Sequence, residues 1–432
     1  MTLFLYNFLL DLFFILAAPW FAVQVARKKK YRAGIAQRLG RYPKELEDSL
    51  RGKRCVWVHA VSVGEVLAAL PLVKALAKSL PGRRVVLSTV TLTGQRVARE
   101  KAGGDAAVIY FPLDLRFAVR RALDLVSPAL VAIVETELWP NFIAETAGRG
   151  VPLLIVNGRI SDRSFRGYRR LRVLLRRILP LITRFSMQTE LDAERIRALG
   201  APPEKVEVGG NMKFDCGISP AGEEETRAAR AALGLREDAP VIVAGSTHRG
   251  EEEVLMEAFD AARRVLPGTA IVIVPRHPER RDEVKALCEA RGARGVLRSR
   301  APSGEKIPGG AILIADTIGE LARIYRAATV VFVGKSLVDG GGQNIIEPAS
   351  MGKPVVFGPS MHNFREASEL LLKNRGAIQV ADARGLVETI TSLLKDARAR
   401  EELGRRAAEA MAGSRGATQR NLELILSMLP GK

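Results

Sequence analysis

Short apolar, β-like runs alternate with helical segments along the chain, and they do so in two series. The first series is Cys55 to Val58, Val85 to Ser88, Ala107 to Tyr110, Leu130 to Val134 and Leu153 to Val156. After a loose, polar stretch around Ser219 to Glu225 the pattern restarts at Val241 to Ala244, Ala270 to Val274, Ala311 to Ala315, Val330 to Val333 and Pro354 to Phe357. Continuous apolar strands separated by helices build parallel sheets covered on both faces, so the spacing predicts an α/β chain of two doubly wound domains. Ligands in such sheets sit at the carboxyl ends of the strands, and two facing domains would enclose one cleft. The stretch Ala397 to Leu429 reads as helix throughout.

Ahead of this pattern, Leu3 to Val25 form an apolar run interrupted by Asn7, Asp11 and Pro19 and followed at once by Arg27, Lys28, Lys29, Lys30 and Arg32. Positive charge behind the apolar run, rather than before it, is the arrangement of an anchor and not of a cleaved leader. It places the rest of the chain in the cytoplasm. Asp11 and Pro19 leave a spanning helix and a segment lying in one leaflet both open. A second basic stretch runs from Arg159 to Arg184 with Asp162 as its only acid, and leucines and isoleucines interleave with it. With 66 Lys and Arg against 47 Asp and Glu, net +19, the chain suits polyanions. Aromatic residues near the basic stretch are limited to Phe165 and Tyr168, which favours an anionic membrane surface or phosphate over nucleic acid.

Cys55, Cys216 and Cys288 are too few and too far apart for a disulfide framework, and the four histidines show no ligand spacing. No metal site is expected. A Gly-x-Gly-x-x-Gly fingerprint is missing after the first strand, which argues against a dinucleotide oxidoreductase, and no Asp-x-Asp occurs. Gly334-Lys335-Ser336 ends like a phosphate-binding loop, but the earlier glycine that such a loop requires is Thr329.

Three junctions share one spacing: Ser62 to Glu65, Thr317 to Glu320 and Asn344 to Glu347. A capping box has this spacing, and a helix amino terminus lining the cleft would also favour a phosphate. Gly340, Gly341 and Gly342 form a turn that lets backbone approach a ligand, and Glu347 one turn on could accept bonds from ribose hydroxyls. Pro275-Arg276 follows a β-run and places a cation at a strand's carboxyl end, as Gly245-Ser246-Thr247-His248 places hydroxyls at another. Glu135-Thr-Glu-Leu-Trp139-Pro140-Asn141 carries two acids after a strand. It is built for a ligand, or else capped by Thr136.

The ordered set His59-Ala-Val-Ser-Val-Gly-Glu65, Thr91 to Gly94, Glu135 to Asn141, Gly210 to Asp215, Ala244 to His248, Pro275 to His277 and Gly341 to Glu347 resembles the Kdo (3-deoxy-D-manno-octulosonic acid) transferases of lipopolysaccharide synthesis. The resemblance implies a GT-B fold of two facing Rossmann-like domains behind an amino-terminal membrane anchor. It divides the chain into an anchor over 1–26, an acceptor-binding domain over 27–212 and a CMP-sugar-binding domain over 213–432 whose last helix packs back on the first domain. It also implies inverting transfer of Kdo from CMP-Kdo to a lipid A precursor, lipid IVA, at the cytoplasmic face of a Gram-negative inner membrane, with no cofactor or metal.

In that likeness Glu65 is the general base. Ser246, Pro275, Arg276, Ile318, Gly319, Asn344 and Glu347 hold CMP, while Ser62, Gly64, Glu137, Arg159 and Lys213 contact sugar or acceptor. The chain departs from the family's pattern at Gln343, where His is common, and at Lys335, where a small residue is common. A nucleotide-sugar epimerase on the same fold, or a non-catalytic polybasic membrane-binding protein, are the readings set beside it.

Overall fold

The computed structural model describes residues 2–27, 34–215, 217–301 and 304–429. Of the basic cluster behind the apolar run, Lys28, Lys29, Lys30 and Arg32 lie outside the described residues. The chain forms two compact units. One holds the described residues up to Asp215 together with those from Arg415 onward, and the other runs from Gly217 to Ser414. The division therefore falls after Phe214-Asp215 rather than at 212/213, and Lys213 belongs with the first unit.

The first unit is a seven-stranded sheet of β1 (Cys55–His59), β2 (Val85–Thr89), β3 (Ala106–Tyr110), β4 (Pro128–Val134), β5 (Leu153–Gly158), β6 (Arg184–Met187) and β7 (Val206–Val208), in the order β3-β2-β1-β4-β5-β6-β7. The second has β8 (Val241–Thr247), β9 (Ala270–Pro275), β10 (Gly295–Leu297), β11 (Ile312–Ile314), β12 (Val330–Val333), β13 (Val355–Phe357) and β14 (Ala377–Gln379), in the order β10-β11-β9-β8-β12-β13-β14. Every pairing is parallel. Strands β1, β4 and β12 are buried along their whole length, as expected where helices cover both faces.

Strand order reverses direction between β1 and β4 in the first sheet and between β8 and β12 in the second. At such a switch point the loops leaving neighbouring strands diverge and open a crevice at their carboxyl ends. These two places carry the motifs of interest.

The core of the first unit centres on Trp57, fully buried, whose ring meets Phe142 edge-on at 5.1 Å while Phe111 lies 4.7 Å from Phe142. His59 stacks on Phe111 at 3.8 Å and shares Ser88 with Trp57. Complete burial lowers its pKa to about 3, so it serves as a neutral core ring.

The carboxy-terminal stretch is not one helix. It breaks at Ser414–Gly416, where Gly416 takes φ 95°, into Ala397–Gly413 and Ala417–Met428. Asp215 accepts from Gly416 N at 2.6 Å and Thr418 N at 2.5 Å, so the Gly210-to-Asp215 motif caps the returning helix onto the first unit.

The amino-terminal helix Thr2–Arg27 contains Pro19, and its Leu3–Trp20 segment is long and apolar enough to cross a membrane. Phe4, Phe8, Phe13, Ile15, Leu16 and Trp20 are exposed. Tyr6 and Asn7 face the protein instead: Tyr6 OH donates to Asp114 Oδ2 at 2.8 Å, and Asn7 Oδ1 accepts from Asn141 Nδ2 at 2.6 Å. Asn7, one of the breaks in the apolar run, is thus a docking contact.

Candidate active site

At the first switch point the loop after β1 leads into the helix Val63–Ser79, with Ser62 as its N-cap. Glu65 is buried there. Its Oε2 accepts from Val61 N at 2.7 Å and its Oε1 from Ser62 Oγ at 2.9 Å. This differs from a capping box, in which the cap side chain accepts from the helix backbone. Here the hydroxyl donates to the carboxylate, and the helix amino terminus keeps no side-chain cap. Thr317 Oγ1 likewise donates to Glu320, whereas Asn344 does both, its Nδ2 donating to Glu347 Oε1 at 3.0 Å while its Oδ1 accepts from Ile346 N at 2.9 Å. Beside Glu65, Gly64 is exposed with open space where a Cβ would stand.

The loop after β4 brings two more carboxylates to this place. Glu135 adopts φ 61°, a left-handed conformation that non-glycine residues rarely take, and its Oε1 meets Lys213 Nζ at 2.8 Å. Thr136 is not a cap. Its Oγ1 accepts from Arg159 N at 3.0 Å, which ties the loop to β5's exit, and Trp139 with Pro140 opens the helix Pro140–Gly148 instead.

The electrostatics follow from this crowding. Burial, then Glu135, raises the pKa of Glu65, while Val61 N–H, Ser62 and Lys213 oppose the rise. Glu137 is pushed up to about 7, first by burial and then by Glu65 and Glu135. Tyr168 is raised to about 12 by burial, with Glu137 adding to it. Three carboxylates thus crowd one partly buried place, where two of them, Glu65 and Glu137, are shifted upward and Glu137 titrates near neutrality. Glu65, Glu137 and Lys213 are brought together, and Arg159 adjoins them through its backbone.

The second switch point gathers part of the other set. Ser246 takes φ 57° at the irregularity between Gly245 and Thr247 in β8. Gly245 has no room for a side chain, since a Cβ would lie 2.0 Å from Tyr325 OH. Tyr325 in turn feels the charge of Glu347, whose own pKa burial raises, so Gly245, Tyr325 and Glu347 form one group. Pro275 ends β9, and Arg276 N donates to Thr247 O at 3.0 Å, leaving an exposed guanidinium with no ion pair among the described residues. Ile318 is 87% exposed on the loop after β11, next to Gly319 at φ 88°.

Sequence reasoning passes over Tyr325, Asp114 and Glu251, because none stands in a motif with a spacing of its own. Tyr168 is visible only as an aromatic within a basic stretch.

Residues 33–216 match the family model described as 3-Deoxy-D-manno-octulosonic-acid transferase (kdotransferase). The 3-deoxy-D-manno-octulosonic acid transferase of Haemophilus influenzae is 33% identical over 403 residues, covering 92% of each chain. This chain belongs to that family. It is therefore a glycosyltransferase, and the epimerase and adaptor readings fall away. The Kdo transferase of Bordetella pertussis is 36% identical over 378 residues, 86% of each chain. Among solved structures, a UDP-GlcNAc 2-epimerase from Neisseria meningitidis aligns with TM-score 0.56 at 14% identity, over 86% of this chain and 99% of that one. That likeness shows a shared GT-B-type fold and nothing about the reaction.

Proposed function

We propose that this Kdo transferase moves Kdo from CMP-Kdo to a lipid A precursor, lipid IVA, with inversion, and that Glu65 is the general base. The observation that carries this reading is the Glu65 carboxylate at the first switch point, oriented by Val61 N–H and Ser62 Oγ and raised in pKa by burial and by Glu135. Each of its oxygens retains a lone pair for an incoming hydroxyl.

In the reaction the acceptor hydroxyl oxygen attacks the anomeric carbon of Kdo as Glu65 takes the hydroxyl proton. The bond from the anomeric carbon to the phosphate oxygen breaks, and CMP leaves with that electron pair. One base on the attacking side suffices for inversion, as in inverting glycosidases. The phosphodiester of the donor carries one negative charge and the departing phosphate gains a second, which the exposed guanidinium of Arg276, without an ion pair among the described residues, and strand-end N–H groups near Ser246 and Gly319 can stabilise. Glu347 Oε2 takes no bond among the described residues and suits a ribose hydroxyl, with Asn344 steadying the other oxygen. Pro275 and Ile318 shape the walls of the nucleotide site. Ser62, Gly64, Glu137, Arg159 and Lys213 serve the sugar and the acceptor.

The apolar helix Leu3–Trp20 supports work at the cytoplasmic face of the inner membrane, where an anionic glycolipid acceptor resides. The test is Glu65→Gln. Turnover should fall about 10²–10⁴-fold while CMP affinity is kept. Full activity in that variant removes Glu65 from the mechanism.

A further inference from the structure

The second switch point holds an arrangement that none of the sequence motifs announces. Glu251, the first residue of the helix Glu251–Val265, is completely buried. Its Oε2 accepts from His248 N at 2.9 Å and Lys335 N at 2.7 Å, and its Oε1 from Ser336 N at 2.9 Å and Leu337 N at 3.1 Å. Three consecutive backbone N–H groups after β12 thus converge on one anion, the geometry of a phosphate-binding nest. The anion is the protein's own, which explains physically why Gly334-Lys335-Ser336 looks like the end of a phosphate loop without being one.

The carboxylate joins the ends of β8 and β12 at their closest approach. A Cβ on Gly334 would lie 2.6 Å from Ser246 O and 2.8 Å from Glu251 Oε2. On either side of this contact Ser246 and Lys335 take φ 57° and φ 58°, conformations that L residues adopt only when their surroundings enforce them. With its N–H turned inward to Glu251 and its carbonyl accepting from Gly342 N at 2.7 Å, Lys335 sends its side chain the other way. The aliphatic stem lies along Gly340, where a Cβ would meet Lys335 Cγ at 2.5 Å. The ammonium has no hydrogen bond or ion pair among the described residues. It stands close enough to His248 to oppose that ring's protonation, and the His248 and His277 rings are 5.9 Å apart.

We propose that Glu251 is a positioning residue that fills the nest from within and locks the turn presenting the Lys335 ammonium to the donor's phosphate. The proposal rests on the reading that the second unit binds the CMP moiety. Lys335 is thereby a determinant of donor affinity outside the set of CMP-site residues read from the motifs.

The experiment is calorimetric titration of the full-length protein with CMP. Absence of CMP binding by the unaltered protein overturns the donor reading itself, an outcome separate from any effect of the variants. Lys335→Gly suits the left-handed backbone, so the fold and thermal midpoint should be kept while CMP affinity drops about tenfold. Unchanged affinity overturns the assignment of Lys335. Glu251→Ala should weaken CMP binding by a similar factor, and added formate, entering the emptied nest, should restore it. Glu251→Gln fills the space but turns an amide N–H₂ toward the backbone donors, and should lose affinity without rescue by formate. If the glutamine variant, folded by near-ultraviolet circular dichroism, binds CMP as the unaltered protein does, Glu251 is structural only and the proposal is wrong.

Discussion

Lys213 Nζ stands 2.8 Å from Glu135 Oε1, so the cation nearest the carboxylate group is engaged by the residue that is not proposed as the base. Glu135 raises the pKa of both Glu65 and Glu137, and Lys213 offsets this at Glu65. Replacing Lys213 with Met leaves the Glu135 charge uncompensated. The pKa of Glu65 should rise, and the acid limb of the kcat/KM profile should move to higher pH. A limb that stays in place in Lys213→Met contradicts the electrostatic coupling within this group.

Glu137 supplies a stability prediction whose sign follows from its folded pKa of about 7 against an ordinary 4.5. Below the unfolded value both states hold the proton and nothing is lost. Between the two values the unfolded chain releases its proton first, so stability falls as pH rises through the window. Glu137→Gln removes that loss, on the order of 1–3 kcal/mol. Thermal midpoints of the two proteins should coincide near pH 4 and separate by pH 8, with the variant higher. Equal separation at both pH values would refute the assignment.

Asp114 ties together the amino-terminal helix and the loop that bears Glu137. It accepts from Asn141 N at 3.0 Å and Phe142 N at 2.8 Å, capping the helix Pro140–Gly148, and from Tyr6 OH. Burial raises it to about 6 against those bonds. Asp114→Ala should cost about 2–4 kcal/mol, read as a lowered midpoint in urea, because it strands buried N–H groups. Tyr6→Phe leaves the cap intact and should cost about 1 kcal/mol or less. Equal losses in the two variants would show that the contact with Tyr6, rather than the cap, dominates.

Gly334→Ala should be destabilising by about 1–3 kcal/mol, since the new methyl meets backbone at Ser246 and Thr247 that cannot move independently. Gly64→Ala, with open space around it, serves as the matched control and should leave the thermal midpoint unchanged. A midpoint for Gly334→Ala equal to that of the control contradicts the close approach of β8 and β12.

The interior strands are readable because each is a run of residues buried on both faces, from Cys55-Val-Trp-Val to Val330-Val-Phe-Val. Four others, β6, β7, β10 and β14, are not. Arg184-Phe-Ser-Met187 and Val206-Glu-Val208 mix polar and apolar residues, and β10 and β14 are three residues each, too short for a periodicity to register. The Glu65 loop can be located from its motif, and its spacing to Ser62 tells that the two will meet. What the spacing cannot tell is which group donates. That depends on Val61 N–H and on burial by residues far along the chain. The ion pair of Glu135 with Lys213 joins positions 78 residues apart, and Glu251 reaches Ser336 across 85. Such contacts are products of strand order, which local pattern does not encode.

Transfer of Kdo with Glu65 as base is tested by mass spectrometry of the lipid product after the purified protein is mixed with CMP-Kdo and lipid IVA. A mass gain of one or more Kdo units, abolished in Glu65→Gln, is the expected result. Lipid IVA recovered unchanged by folded, lipid-reconstituted protein would contradict the proposed donor and acceptor.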